Sequence, residues 1–328
     1  MSKTVAILFV LLLMGAVSAG EPDGGMSRGD LKQEKAVSER DTKKEKKFEV
    51  PKWFQPILTL VGLALGIYVS FIIMILLFEP RFIYHPSRKP AVPWEEPGIT
   101  VEDCWLKTED GWKLHGWWLE ATEEAPTLLA FHGNAGNLTH RVEYLHLLRR
   151  KGFNVLMIDY RGYGQSQGHP SETGLYKDAK AAYKYLTEEK KIAPGRIIAF
   201  GRSLGTAVAL NLALSEPVVA VILESPFASA KVMAKKMIPF VPVSRFIRSD
   251  FDNAGRVSEL EKPILVIHGD RDRVVPFEQG RAVFEATKEP KEFYRIGGAG
   301  HNDTYQVGGK VYFDRLMSFC RESMTGSS

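Results

Sequence analysis

Apolar residues follow two different patterns along this chain. Before residue 98 they form two unbroken blocks with a charged stretch between them; after it, short apolar runs alternate with longer segments of helical period. The strand-like runs are 99–107, 112–119, 127–131, 153–159, 196–200, 218–223, 263–268 and 292–296. Helical periods cover about 137–150, 172–189, 204–214, 277–287 and 307–321. Short apolar strands joined by helices of ten or more residues predict βαβ crossovers, so the expected class is α/β with a mostly parallel sheet and helices on both faces. The first two runs have no helix between them, and Glu109-Asp110-Gly111 reads as a hairpin turn, so the sheet should begin antiparallel.

The first apolar block, 5–17, follows Lys3 and ends in Val17-Ser18-Ala19, the form of a secretory leader over residues 1–20. Residues 21–53 form a charged linker, with nine Lys or Arg from Arg28 to Lys52 and no apolar period. From Ile57 to Phe78 there is no charge at all. A helix there would be about 33 Å long, enough to cross a hydrocarbon core of about 30 Å, so 54–79 is expected to be a transmembrane helix. Trp53 and Tyr84 flank it where interface anchors are expected. A soluble helix of that length would need a polar face. A cleaved leader would leave the nine basic residues outside, against the positive-inside rule. A start at Met26 would keep them inside and turn the remaining chain outward, and the charge balance favours that arrangement of a single-pass protein.

Residues 80–328 suffice for one α/β domain with a large core. The net charge of +4 and a basic run without interleaved aromatics, Phe48 standing alone near its end, give no nucleic-acid signature. Cys104 and Cys320 are the only cysteines, and no His/Cys group has zinc spacing, so neither a metal nor another cofactor is expected.

The string G-x-S-x-G occurs around Ser27, Ser166 and Ser203. A nucleophile elbow must join a strand end to a helix start, because the strained turn there exposes the serine oxygen above the sheet. Ser203 alone meets this: Ile197-Ile198-Ala199-Phe200 precedes it and a small apolar helix follows. Ser27 stands in the linker, and Ser166 lies in loop sequence followed by His169-Pro170. A serine hydroxyl needs a histidine to take its proton and a carboxylate to hold that ring, in the chain order Ser, acid, His. Of the eight histidines only His268 and His301 come later. His268 ends an apolar strand, a structural position; His301, in Gly298-Ala299-Gly300-His301-Asn302-Asp303, is the expected base. The acid is Asp272, with Asp270 as its rival on the same loop. The N–H groups of Leu204 and Asn134 are the expected oxyanion donors, Asn134 lying in His132-Gly133-Asn134-Ala135-Gly136-Asn137.

With FHGNAGN (131–137), DYRGYGQSQG (159–168), GRSLG (201–205), ESPF (224–227), HGDRDRVVP (268–276) and GAGHND (298–303), the chain resembles the α/β-hydrolase superfamily over about residues 80–320. Within it, the chain looks like the serine-aminopeptidase-like and single-pass membrane subgroup. The resemblance implies hydrolysis of an ester, thioester or amide through an acyl-enzyme, on lipid-like or acylated substrates. Residues 226–262 exceed an ordinary connection and mix apolar residues with Lys231, Lys235, Lys236, Arg245 and Arg248, which reads as a short cap; a helix packed on the sheet is the competing reading. The partners expected are a small or acylated substrate and the bilayer. A peptidase of this fold, or a scaffold without activity, are the alternatives.

Overall fold

The computed structural model describes residues 51–91, 101–239 and 241–326. The leader-like residues 1–20, Met26, the Ser27 motif, nearly all of the charged linker and residues 99–100 of the first expected strand lie outside the described residues.

Eight strands form one sheet: β1 (Glu102–Lys107), β2 (Lys113–Leu119), β3 (Thr127–Phe131), β4 (Asn154–Ile158), β5 (Ile197–Arg202), β6 (Ala220–Glu224), β7 (Ile264–Gly269) and β8 (Lys291–Ile296). Their order across the sheet is β8-β7-β6-β5-β3-β4-β2-β1. From β8 to β4 every neighbour is parallel, while β2 pairs antiparallel with both β4 and β1. The β1–β2 hairpin turns at the predicted place. Gly111 has φ +90°, which glycine adopts without steric penalty, and its N–H donates to the Thr108 carbonyl at 3.0 Å.

Alternation along the parallel strands divides the core in two. Leu129, Leu156, Ala199, Leu223 and Val266 face one side; Leu128, Val155, Ile198, Ile222 and Leu265 face the other. Both sides are apolar because helices cover both, as parallel sheets require. Helices α3 (Glu172–Lys184), α4 (Leu204–Ser215) and α6 (Phe277–Ala286) cover the first side, and α2 (Val142–Arg150) and α7 (Thr304–Thr325) the second. Cys104 and Cys320 are free, and they belong to different sides of the core.

Strand registers bring Phe131, Gly201, Leu223 and Val266 to a common level, so the loops after β3, β5, β6, β7 and β8 leave from one edge. In an open α/β sheet this carboxyl edge is where ligands bind.

Helix α1 (Gln55–Leu77) runs 23 residues, its most apolar 18 residues reach a mean hydropathy of 2.7, and most of its large side chains are exposed. It is long and apolar enough for a single membrane span. The structure corrects one expectation beside it. Tyr84 is 4% exposed and packs edge-on to Phe251, so it belongs to the core and does not anchor an interface.

The excursion after β6 is smaller than 226–262. Helix α5 (Ala230–Met237) begins it, capped by the Ser229 hydroxyl, and its two ends are tied where the Ala230 N–H donates to the Asp250 carbonyl at 2.6 Å. Phe251, Val257 and Leu260 are buried in the main core, so the chain has rejoined the body by residue 251.

Candidate active site

Strand β5 passes directly into α4 with Ser203 at the junction, in a backbone conformation of φ 53° and ψ −119°. Such a conformation in a non-glycine residue stores about 1–3 kcal/mol and persists only where its surroundings enforce it. The Ser203 N–H donates to the Glu224 carbonyl at 2.9 Å, and its own carbonyl accepts from the Thr206 N–H at 3.0 Å and hydroxyl at 2.6 Å. The glycines on either side are needed for space: a Cβ on Gly201 would strike the Gly205 carbonyl, and one on Gly205 the Phe131 carbonyl. The Ser203 hydroxyl does not cap α4. Ser166 is the opposite case. It is fully buried, donates to the Asp159 carbonyl at 2.6 Å and accepts from the His115 N–H at 2.9 Å, which makes it a structural hydroxyl.

The two aspartates after β7 have separate tasks. Asp272 Oδ2 lies 2.6 Å from His301 Nδ1, while its Oδ1 accepts from the N–H groups of Val274 and Val275 at 2.9 and 2.8 Å. Burial alone would raise the Asp272 carboxyl; hydrogen bonds from His268, His301 and the Val275 N–H outweigh it and hold the group well below the usual carboxylate range. Asp270 turns instead to Arg295 at 2.7 Å and to the Gly298 N–H at 2.7 Å, fixing the start of the loop that carries His301. His268 is buried and donates through Nε2 to the Val275 carbonyl at 2.9 Å, with Asp272 Oδ2 at 3.4 Å. It supports the acid's loop from behind.

Asp272 and His301 are thus in direct contact. Among the described residues no hydrogen bond joins Ser203 Oγ to His301 Nε2. Bonds of that kind are often long in ligand-free hydrolases and tighten around bound substrate.

The loop after β3 covers Ser203. A Cβ on Gly133 would come within 3.4 Å of Ser203 Cβ and 3.9 Å of Oγ, so the loop's backbone passes close beside the hydroxyl. Asn134 follows it, with its carbonyl accepting from the Tyr163 hydroxyl at 2.7 Å and the His85 N–H at 2.9 Å, and its side-chain amide donating to the Ile83 carbonyl at 3.1 Å. Leu204 is the first residue of α4, where N–H groups have no partner within the helix and the helix dipole favours negative charge. Beneath the loop, His132 is buried between Tyr160 and Tyr163 and donates through Nδ1 to the Gly133 carbonyl at 2.7 Å; burial pushes its imidazole down to about 4. A cavity of about 190 Å³ lies beside this loop, lined by Arg88, Asp103, His115, Asn137 and Asp159 among others; neither Ser203 nor His301 lines it.

Sequence reasoning missed one group altogether. Arg202 donates to the His301 carbonyl at 2.8 Å, and its Nε stands 3.5 Å from Glu224 Oε1. Glu224 is 1% exposed; it also accepts from the hydroxyls of Thr304 and, at 2.8 Å, Tyr312. Burial opposes the Arg202 charge, but the Glu224 carboxylate outweighs this and raises the guanidinium. One buried ion pair therefore joins the Ser203 turn, the His301 loop and α7. Its sequence signal was the charge in GRSLG and ESPF, which a search for nucleophile, acid and base passes over.

A protein-family profile described as serine aminopeptidase, S33 matches residues 122–252. An uncharacterized protein of Mycobacterium tuberculosis is 35% identical over 270 residues, covering 82% of this chain and 95% of that protein. The α/β hydrolase domain-containing protein WAV2 of Arabidopsis thaliana is 33% identical over 280 residues, covering 77% of this chain and 91% of that one. Among solved structures, an esterase of Pyrococcus furiosus superposes with a TM-score of 0.62 at 24% identity, covering 74% of this chain and 98% of the esterase. At that identity the likeness is one of fold.

Proposed function

The chain belongs to the α/β-hydrolase superfamily, and on that footing we propose that it is a membrane-anchored serine hydrolase that cleaves carboxylic esters or thioesters through an acyl-enzyme. The observation that carries this reading is the 2.6 Å contact of His301 Nδ1 with Asp272, at the sheet edge where Ser203 holds its strained turn.

In the proposed reaction the carboxylate of Asp272 keeps His301 in the tautomer with its proton on Nδ1, leaving Nε2 to take the proton of Ser203. Oγ adds to the substrate carbonyl, and the N–H groups of Leu204 and Asn134 receive the oxyanion. His301 returns the proton to the departing alcohol or thiol. Water then repeats the sequence on the acyl-enzyme, releasing the acid and restoring Ser203.

The matching profile bears the name of an aminopeptidase family, so a peptidase is the second reading. A peptidase that binds a free amine needs carboxylates near the scissile bond. The excursion favours the ester reading, since it carries Lys231, Lys235, Lys236, Arg245 and Arg248. The test is fluorophosphonate labelling of the full chain against Ser203→Ala, followed by p-nitrophenyl esters from acetyl to palmitoyl and an aminoacyl amide panel. We expect labelling lost in Ser203→Ala and turnover of esters favouring longer chains. Equal labelling of both proteins would remove the nucleophile assignment, and a preference for the amides would move the reading to peptidase.

A further inference from the structure

The exit of α1 is bonded to the excursion. Glu79, two residues beyond the end of α1, is 5% exposed. Its carboxylate accepts from the backbone N–H of Arg248 at 3.0 Å and of Ser249 at 2.8 Å. Glu172 takes the next two N–H groups, of Asp250 at 2.7 Å and Phe251 at 2.9 Å. Four consecutive backbone donors are thus held by two carboxylates, one from the body of the fold and one from the foot of the apolar helix. A buried carboxylate needs such donors, and an exchange for water would not hold the chain in place.

This contact sets where the excursion stands. A 23-residue helix rises about 35 Å, slightly more than a hydrocarbon core, so a spanning α1 ends among the headgroups. A charged residue two positions on lies outside the hydrocarbon, and Arg248 is hydrogen-bonded to it. Consecutive Cα atoms are about 3.8 Å apart, so Arg245 and Phe246 lie within about 12 Å of Arg248 along the chain. Phe246 is 53% exposed and Phe82, just past Glu79, 57%. Arg81, Arg245 and Arg248 are exposed and form no ion pair among the described residues. Exposed aromatic rings among cations without a carboxylate partner, at the foot of a span, are the composition of a membrane-interface surface.

We propose that this surface, formed by Arg81, Phe82, Arg245, Phe246 and Arg248, docks on anionic lipid headgroups, and that Glu79 is the positioning residue that locks it at the anchor's exit. The proposal rests on reading α1 as a span, whichever side the hydrolase faces. Anionic lipid is the occupant that fits because none of the three guanidinium groups has a carboxylate partner among the described residues, Arg81 resting only on the Phe78 ring, and the patch is continuous with the anchor.

The two natural cysteines are buried, so a thiol-reactive bimane will report a single introduced cysteine. The full chain is placed in phosphatidylcholine vesicles with or without phosphatidylserine, using brominated acyl chains as quencher. Ile67→Cys reports the span, Phe246→Cys the docking surface, and Arg321→Cys, on α7 across the sheet, the unbound background. We expect Ile67→Cys to be quenched in both lipids. Phe246→Cys should be quenched roughly two-fold with phosphatidylserine and much less without it, and Arg321→Cys in neither. Adding Glu79→Gln, or Arg245→Glu with Arg248→Glu, should cut the quenching at 246 and leave that at 67. Quenching at 67 with none at 246 in either lipid overturns the docking surface and leaves the span standing. No quenching at 67 overturns the span and the docking surface with it.

Discussion

Helices α1 and α4 are both apolar on every side, yet their surroundings are opposite. Val208 and Ala209 of α4 have no exposure, whereas Leu60, Leu65 and Ile67 of α1 keep 66%, 60% and 63%. A helix without a polar face has to be enclosed by something. For α4 it is the sheet and its neighbouring helices; for α1, on our reading, it is lipid. The two sequences differ in a way that explains the difference. Small residues such as Gly205, Ala207 and Ala209 let α4 press against strand backbones, while α1 carries long side chains that project outward. The two regions should therefore respond differently to the same insult: α4 and its strands govern chemistry on any substrate, and α1 governs only where the molecule resides.

The largest effect should come from placing one charge in each helix. Val208→Lys buries an unpaired ammonium and should leave no folded protein, seen as loss of soluble yield and of any cooperative melting transition. Leu65→Lys should leave hydrolysis of a short soluble ester in detergent unchanged. It should weaken retention in membranes by about 2.5–3.5 kcal/mol of insertion free energy, measured by carbonate extraction. If Leu65→Lys were to destabilise the hydrolase as Val208→Lys does, α1 would be a core helix.

The next contrast lies within the site. Asp272→Asn keeps the shape but favours the wrong imidazole tautomer, so kcat should fall by about 10⁴ on every ester. Asp270→Asn loses part of its bond to Arg295 and to the Gly298 N–H at a more exposed position, so kcat should stay within a few-fold. Reversed magnitudes would make Asp270 the acid. This pair shows what could be read from sequence. The strand–turn–helix context singled out Ser203, and chain order followed by loop context singled out His301 over His268, because each depends on neighbours along the chain. Choosing between Asp270 and Asp272 depends on which carboxylate faces a loop 29 residues away, and string patterns do not encode direction. The fold was legible because both faces of a parallel sheet leave continuous apolar runs. Tyr84 was misread for the same reason in reverse: it follows a span in sequence, but its ring packs against Phe251, far along the chain. The clamps at Glu79 and Glu172 were invisible, since backbone N–H groups leave no mark on composition.

A smaller effect should follow from Glu224→Gln. The neutral amide keeps the shape but removes the charge opposite Arg202, whose guanidinium holds the His301 carbonyl. Misplacement of the His301 loop should lower kcat roughly 10–100-fold with KM unchanged, on short and long esters alike. A purely structural role would instead lower the amount of folded enzyme and leave kcat per active site, titrated with fluorophosphonate, at the wild-type value. Glu224→Asp should recover part of the loss.

The smallest effect is a pH slope, and it too should divide the interior from the anchor. His132 is buried with its imidazole pushed down to about 4, from an ordinary value of 6.5. Its stabilising contribution is therefore complete above pH 6.5, where the unfolded ring is also neutral. Below that the unfolded state takes up a proton that the folded state refuses, so stability falls until the pH reaches about 4. Between pH 7.5 and 5 the loss should be about 2 kcal/mol. In His132→Asn the amide can keep the bond to the Gly133 carbonyl without titrating, so its urea midpoint should move less over the same interval. Leu65→Lys should retain the wild-type slope, because its charge faces surroundings that do not change on unfolding of the hydrolase. An unchanged slope in His132→Asn would mean that another buried group, and not the histidine under the Asn134 loop, sets the acid sensitivity of the interior.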